Sequence, residues 1–301
     1  MHKNRRRAIL VFSLPTLLFY VYFFIDPLAK TFYYSFFDWN AITEKKFVFL
    51  ENYAKLFQDR VFYIALGNTA YLSALSLFVM IPLSFVLAYI LYTQIKGFKF
   101  FRTVFFIPVV VSTVSVSLIF SFIYEPNFGM LNTLLRAIGL DTLAFTWLSD
   151  KATAMTAVSV PFLWQNVGLM MMILLAGMQT MSEEILEAAE IDGVNRWQKI
   201  WYVVIPLIRN VIQVVIVFAI TYAFKVFDHI LLLTQGGPIH RTEVTGTYMY
   251  NEGFRFLKYG YGTTIAVSIM LVALAAAFLA NRLIGRDSDD DAGSIKKLEK
   301  I

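Results

Sequence analysis

Apolar residues run through this chain in blocks too long for the core of a water-soluble domain. Six stretches are nearly free of charge: Ala8 to Ile25, Val61 to Ile95, Thr103 to Tyr124, Ala152 to Gln179, Asn210 to Leu233 and Thr263 to Ala280. Even the shortest, at ~1.5 Å of rise per residue, reaches about 27 Å, enough for a hydrocarbon core of about 30 Å. The pattern predicts an all-α integral membrane protein with six spanning helices at about 8–27, 66–93, 103–124, 152–179, 208–233 and 261–282. Residues 1–285 are read as one transmembrane domain. The acidic stretch 286–301 is read as a solvated, disordered tail. Pro15, Pro82, Pro108 and Pro161 fall inside four of the spans, where each removes a backbone donor and predicts a kink.

Composition agrees: 58% of the 301 residues are hydrophobic and 16% charged. The net charge of +5 does not point to nucleic acid, because the basic residues gather at membrane boundaries. They are denser in 3–7, 96–102, 196–209 and 282–300 than in the intervening polar segments, which predicts that both termini are cytoplasmic. The apolar run at the N-terminus is too long for a secretory leader and lacks a small-x-small cleavage site, so it reads as an uncleaved first helix. There is no cysteine, which excludes disulfides, thiolate metal sites and cysteine nucleophiles. There is no G-x-x-x-x-G-K-[ST] loop for ATP phosphates and no H-E-x-x-H, and His2, His229 and His240 are too scattered for a ligand set or a triad. No catalytic residue, metal site or cofactor is assigned to the chain.

One polar segment interrupts the apolar pattern: EAAEIDGVNRWQKIWYVVIP, Glu187 to Pro206. Thr180 and Glu183 have the spacing of a capping box, and Glu183, Glu187 and Glu190 recur on one helical face. Ala188 and Ala189 leave another face thin. Gly193 is read as a helix end, and Asn195 with Gln198 as the start of a second helix carrying Trp197 and Trp201. A plain interfacial linker would look similar. The order of residues, however, resembles the EAA loop of ABC importer permeases, and further stretches match in order. These are LENYAKLFQD, Asn68-Thr69, KGFKFFRTVFFIP, YEPNFGMLN, Trp164, LLAGMQ, FDHILLLTQGGP, YMYNEGF and GYGTTIAVS. Together they resemble the carbohydrate branch of that family, on the side of the maltose and glycerol-3-phosphate first permeases. Ile200, Val203 and Ile205 depart from the family pattern but stay apolar, and Gln235 stands where Gly is common.

The resemblance implies a type I importer permease of the MetI-like fold, in a bacterial or archaeal inner membrane. It implies that the loop at 180–206 docks on a separate ATPase through Glu187, Ala188, Ala189, Asp192 and Gly193. ATP and magnesium would then belong to that ATPase, present as two copies, alike or different. A second permease subunit, an extracellular solute-binding protein facing Gly236, Gly237 and Pro238, a sugar substrate and membrane lipid would complete the set of partners. Gln165, Asn166, Thr221 and Tyr222 lie near mid-span with hydroxyl, amide and aromatic groups suited to a sugar, although Gln165 and Asn166 could equally be interhelical glue. Lys225 and Asp228, three apart, read as a mutually neutralising pair, with an ion relay through His229 as the sharper alternative. A permease for another solute such as glycerol-3-phosphate, a self-contained secondary transporter and a membrane-embedded enzyme remain the competing readings.

Overall fold

A computed structural model describes residues 13–298, with side chains as far as Arg282. The described chain is helical apart from one two-stranded ribbon. Its elements are α1 (13–34), the strands β1 (Phe37–Asp38) and β2 (Lys46–Phe47), α2 (Glu51–Leu56), α3 (60–92), α4 (Phe98–Val110), α5 (Thr113–Ile123) and α6 (Met130–Ala137). There follow α7 (Ala154–Met178), α8 (Glu183–Ile191), α9 (196–207), α10 (Arg209–Phe224), α11 (Asp228–Leu233), α12 (245–255) and α13 (Tyr259–Leu298). Arg60–Tyr92, Ala154–Met178, Arg209–Leu233 and Tyr259–Arg282 are each long and apolar enough to cross a membrane, and α4 with α5 would make a fifth span. The predicted first span, 8–27, falls partly outside the described residues.

Several predicted boundaries move. The second span starts at Arg60 rather than 66. The third is not one helix: α4 begins at Phe98, five residues before the predicted start, and meets α5 at a bend of 96°. Pro108 lies inside α4, and at Val111 and Ser112 the backbone turns extended. A proline weakens the ladder, and the last turn before the break leaves carbonyls that must find other donors. The fifth span is interrupted at 225–227 between α10 and α11. The last helix runs on to Leu298, through most of the segment read as a disordered tail; extending an established helix adds a bond per residue without a new nucleation cost.

Prolines shape the helices in a second way. Three π-helical turns, Val21–Ile25, Ser76–Met80 and Lys199–Val204, each stop one residue before an X-Pro pair: Asp26-Pro27, Ile81-Pro82 and Ile205-Pro206. The residue before each proline donates to the carbonyl five back: Asp26 to Val21, Ile81 to Ser76 and Ile205 to Ile200. The proline ring collides with the carbonyl four positions earlier in a regular helix. Widening the preceding turn moves that carbonyl aside, so the helix continues.

The described chain forms two compact units. In the unit of residues up to Phe62 with Tyr248–Leu271, β1 and β2 pair antiparallel in the register Phe37 to Phe47 and Asp38 to Lys46. Rings of Tyr33, Tyr34, Phe37, Trp39 and Tyr259 pack together there, with the Lys45 ammonium 4.9 Å from the Tyr33 centroid. Asn52, from the LENYAKLFQD stretch, is buried and donates to the carbonyls of Ser35 and Phe37. In the unit Tyr63–Thr247 with Val272 onward, α7 is the central post. Met170, Met171, Leu174 and Met178 pack with Met80 of α3, Val204 of α9 and Val215 of α10. A second cluster, around Phe162, Leu72, Val226 and Ile230, lies toward the start of α7.

Candidate functional site

The EAA segment folds as a helix, a turn and a second helix. Ser182, in extended conformation, is the N-cap of α8 and makes no side-chain cap. The Thr180 capping box is not formed: the Thr180 hydroxyl bonds back to the Gly177 carbonyl at 2.8 Å, and because Ser182 is the N-cap, Glu183 is the first helical residue rather than the third. Glu183 and Glu184 occupy the first turn of α8, where carboxylates meet the positive end of the helix dipole. Gly193 then takes φ +75°. Its N–H donates to the Glu190 carbonyl and that of Val194 to Ala189, a Schellman closure that needs a left-handed residue. Asn195 opens α9 with a full capping box: its side chain accepts from the Gln198 N–H, and the Gln198 side chain accepts from the Asn195 N–H.

This hairpin has an inner and an outer side. Leu186 and Ala189 are buried, and Lys199 reaches across to Glu190 at 2.6 Å. The ammonium beside it holds the Glu190 carboxyl below the usual range. Glu187, Ala188, Asp192 and Gly193 are exposed. Beside them Ile191 is 86% exposed and Trp197 73%, with Trp201 and Tyr202 also open. The two alanines read as one thin face therefore divide, Ala189 inward and Ala188 outward.

Of the mid-span residues, Gln165, Asn166 and Thr221 each hydrogen-bond a backbone carbonyl of the fold. Gln165 is buried and donates 2.8 Å to the carbonyl of Val111, at the break between α4 and α5. Asn166 is buried and donates 2.7 Å to the Phe162 carbonyl of its own helix. Thr221 bonds the Val217 carbonyl one turn back. Tyr222, next to Thr221 in α10, lies near-parallel to the rings of Phe162 and Phe218 at centroid distances of 6.1 and 5.9 Å. It lines a cavity of about 40 Å³ with Phe162, Thr113, Lys225, Asp228 and His229. The Lys225–Asp228 ion pair does not form among the described residues, because the helix ends between them and the i, i+3 geometry is lost. His229 is buried instead against α5, its Nδ1 3.2 Å from the Ser117 hydroxyl.

The TQGGP stretch folds into a tight loop around a buried carboxylate. Gly237-Pro238 is cis, and Gln235, Gly236, Ile239 and His240 all have positive φ. Gln235 at +53° explains why Gly is common at that position in the pattern noted above: Gly adopts this conformation freely and other residues at a cost. Glu243, 2% exposed, lies against Gly236 and meets His240 Nδ1 at 3.0 Å. Asn68, of the Asn68-Thr69 pair, donates to the carbonyls of both Arg241 and Glu243, and Thr69 meets the Thr245 hydroxyl at 3.2 Å.

Sequence reasoning missed a further cluster. Asp59 caps α3 by accepting from the Val61 N–H at 2.9 Å, and its other oxygen accepts from the Tyr248 and Tyr261 hydroxyls. Burial pushes its carboxyl up, but these donors outweigh that and hold it below the usual range. Its tyrosines lie 189 and 202 residues away, beyond any local pattern. Among the described residues no three His, Asp or Glu side chains gather as metal ligands.

Comparison with known proteins places this architecture. Residues 80–288 match the model of the family described as binding-protein-dependent transport system inner membrane component. The probable ABC transporter permease protein YurN of Bacillus subtilis is 37% identical over 272 residues, covering 89% of this chain and 93% of its own. The diacetylchitobiose uptake system permease protein NgcF of Streptomyces coelicolor is 32% identical, covering 89% and 80%. A chain of the crystal structure of a bacterial alginate ABC transporter, in complex with an alginate pentasaccharide-bound periplasmic protein, superposes with a TM-score of 0.80 at 26% identity, covering 94% of this chain and 96% of that one. A family model spanning well over half of the chain and near full-length relatives agree: this chain belongs to the binding-protein-dependent inner membrane components of ABC transporters, and is a transport subunit of that kind.

Proposed function

We propose that the chain is one of two permease subunits of an ATP-driven importer for a sugar or oligosaccharide, delivered by an extracellular binding protein. Residues 1–285 form a single six-span domain of the MetI-like type, with both termini cytoplasmic. ATP and magnesium belong to a separate ATPase that engages the loop at 180–206. The observation that carries this reading is the two-sided hairpin. Its inner side is fixed by Leu186, Ala189 and the Lys199–Glu190 pair, while Glu187, Ala188 and Asp192 stand out beside two open tryptophans. A plain surface linker has no need of a Schellman turn followed at once by a full capping box. Such a turn holds a docking surface rigid, so that motion of a partner is passed to the spans rather than absorbed.

The substrate class rests on the relatives, whose names include diacetylchitobiose uptake and alginate transport, and on Tyr222. Its ring, partly exposed and with Lys225 and Asp228 beside it, offers a hydroxyl and an aromatic edge to a sugar. The cavity of about 40 Å³ has room for water rather than a sugar, so this subunit supplies one wall and the second permease the other. Gly236, Gly237 and Pro238 belong to the loop presented to the binding protein.

Glu187→Lys and Gly193→Val, introduced into the assembled transporter, should abolish ATPase retention in mild detergent and substrate-stimulated hydrolysis, while the chain still inserts. Gly193→Val meets no neighbour but carries the left-handed strain, roughly 1–2 kcal/mol. Retained ATPase and normal uptake in both variants would refute the docking role.

A further inference from the structure

Three helices have their ends around one small cavity whose wall is half polar and half apolar. The last turn of α3 brings Leu91 and Tyr92, followed by Gln94; α4 brings Arg102; and the end of α7 brings Leu175 and Gln179. The space is about 60 Å³. No carboxylate lines it. Among the described residues the Arg102 guanidinium makes no ion pair or hydrogen bond, and neither do the side chains of Lys96 and Lys99 nearby in sequence. The amides of Gln94 and Gln179 likewise have no partner among the described side chains, and both are exposed. Next to Arg102, Phe100 and Phe101 turn their rings outward.

We propose that this cavity holds the phosphate of an acidic phospholipid headgroup. It takes a phosphodiester because a planar guanidinium and two free amides offer several donors to one anion. It takes a lipid rather than a soluble anion because the ends of three spans put it at a membrane boundary and because the neighbouring apolar rings can lie along an acyl chain. It prefers a net negative lipid because three unpaired cations lie within seven residues of sequence. Gln179 leads directly into the EAA hairpin, so a bound headgroup would tie the base of that segment to the bilayer. The inference rests on reading these helices as membrane spans, and the hairpin's role in coupling is not needed for it.

The test is native mass spectrometry of the full chain in its purified complex, offered phosphatidylglycerol, phosphatidylcholine or inorganic phosphate. Wild type should retain phosphatidylglycerol in preference to phosphatidylcholine, and Arg102→Gln should lower that retention roughly fivefold, the effect of one cation at a membrane surface. Arg102→Lys should keep most of it, and Arg255→Gln, an exposed cation elsewhere, should leave it unchanged. Equal retention in Arg102→Gln, equal retention of phosphatidylcholine, or displacement of the lipid by millimolar inorganic phosphate would overturn the proposal. The orientation is read separately, because a Gln94→Cys variant of this cysteine-free chain should label only from the cytoplasmic side. Labelling from outside would refute the proposed topology and leave the lipid result standing.

Discussion

Gln165 shows how a polar residue inside a membrane span can be structural. Its amide meets the Val111 carbonyl where α4 breaks from α5, one of the acceptors that a bent span would otherwise leave to lipid. Gln165→Leu should therefore lower the thermal stability of the detergent-solubilised chain by about 1–3 kcal/mol, the cost of an orphaned buried acceptor. An unchanged melting temperature would show that Val111 finds another donor. Asp59 works by charge. Its carboxyl is held low in the folded state, so its contribution is complete above the ordinary carboxylate value of about 3.9 and is lost as pH falls through the lower folded value. Proteolytic resistance of the wild type should accordingly drop more steeply below pH 4 than that of Asp59→Asn, whose side chain does not titrate. Parallel curves would remove Asp59 from the account.

At the scale of elements, the turn of the hairpin was legible in the sequence, whereas its start was not, since the capping box expected at Thr180 does not form. Gly193 and the Asn195–Gln198 box are local signals, set by backbone rules that operate within four residues. Its inner and outer faces were not, because which alanine is buried depends on what the rest of the fold places against it. The break between α4 and α5 was half legible: Pro108 announces a disturbance, but the donor that meets the Val111 carbonyl at the break, Gln165, lies more than fifty residues on in the sequence. Asn195→Ala should destabilise the start of α9 by about 1 kcal/mol. Amide exchange at Arg196–Gln198 should speed up several-fold while exchange in α7 stays unchanged, and uniform exchange would show that the cap is redundant.

For the whole molecule, hydropathy identified a membrane protein and most of its spans, since lipid forces every backbone group into internal bonds and leaves helices as the solution for such long apolar runs. The pairing of Asn68 with the TQGGP loop and of Asp59 with two distant tyrosines was invisible, because long-range partners leave no period in a single sequence. Single cysteines at Asp192 and Asn127 should label from opposite sides of sealed vesicles; labelling from the same side would remove the six-span arrangement. The π turns before Pro27, Pro82 and Pro206 bear on how such a pathway is mapped. Each holds one surplus residue, and a surplus residue advances everything beyond it by about 100° around the axis. Ser73 and Ser84 lie on either side of Ser76–Met80 on α3, so a wheel drawn through that turn at constant pitch misplaces one relative to the other by about 100°. The lining of the translocation route has to be drawn as separate wheels, restarted at Ile81 and again at Ile205.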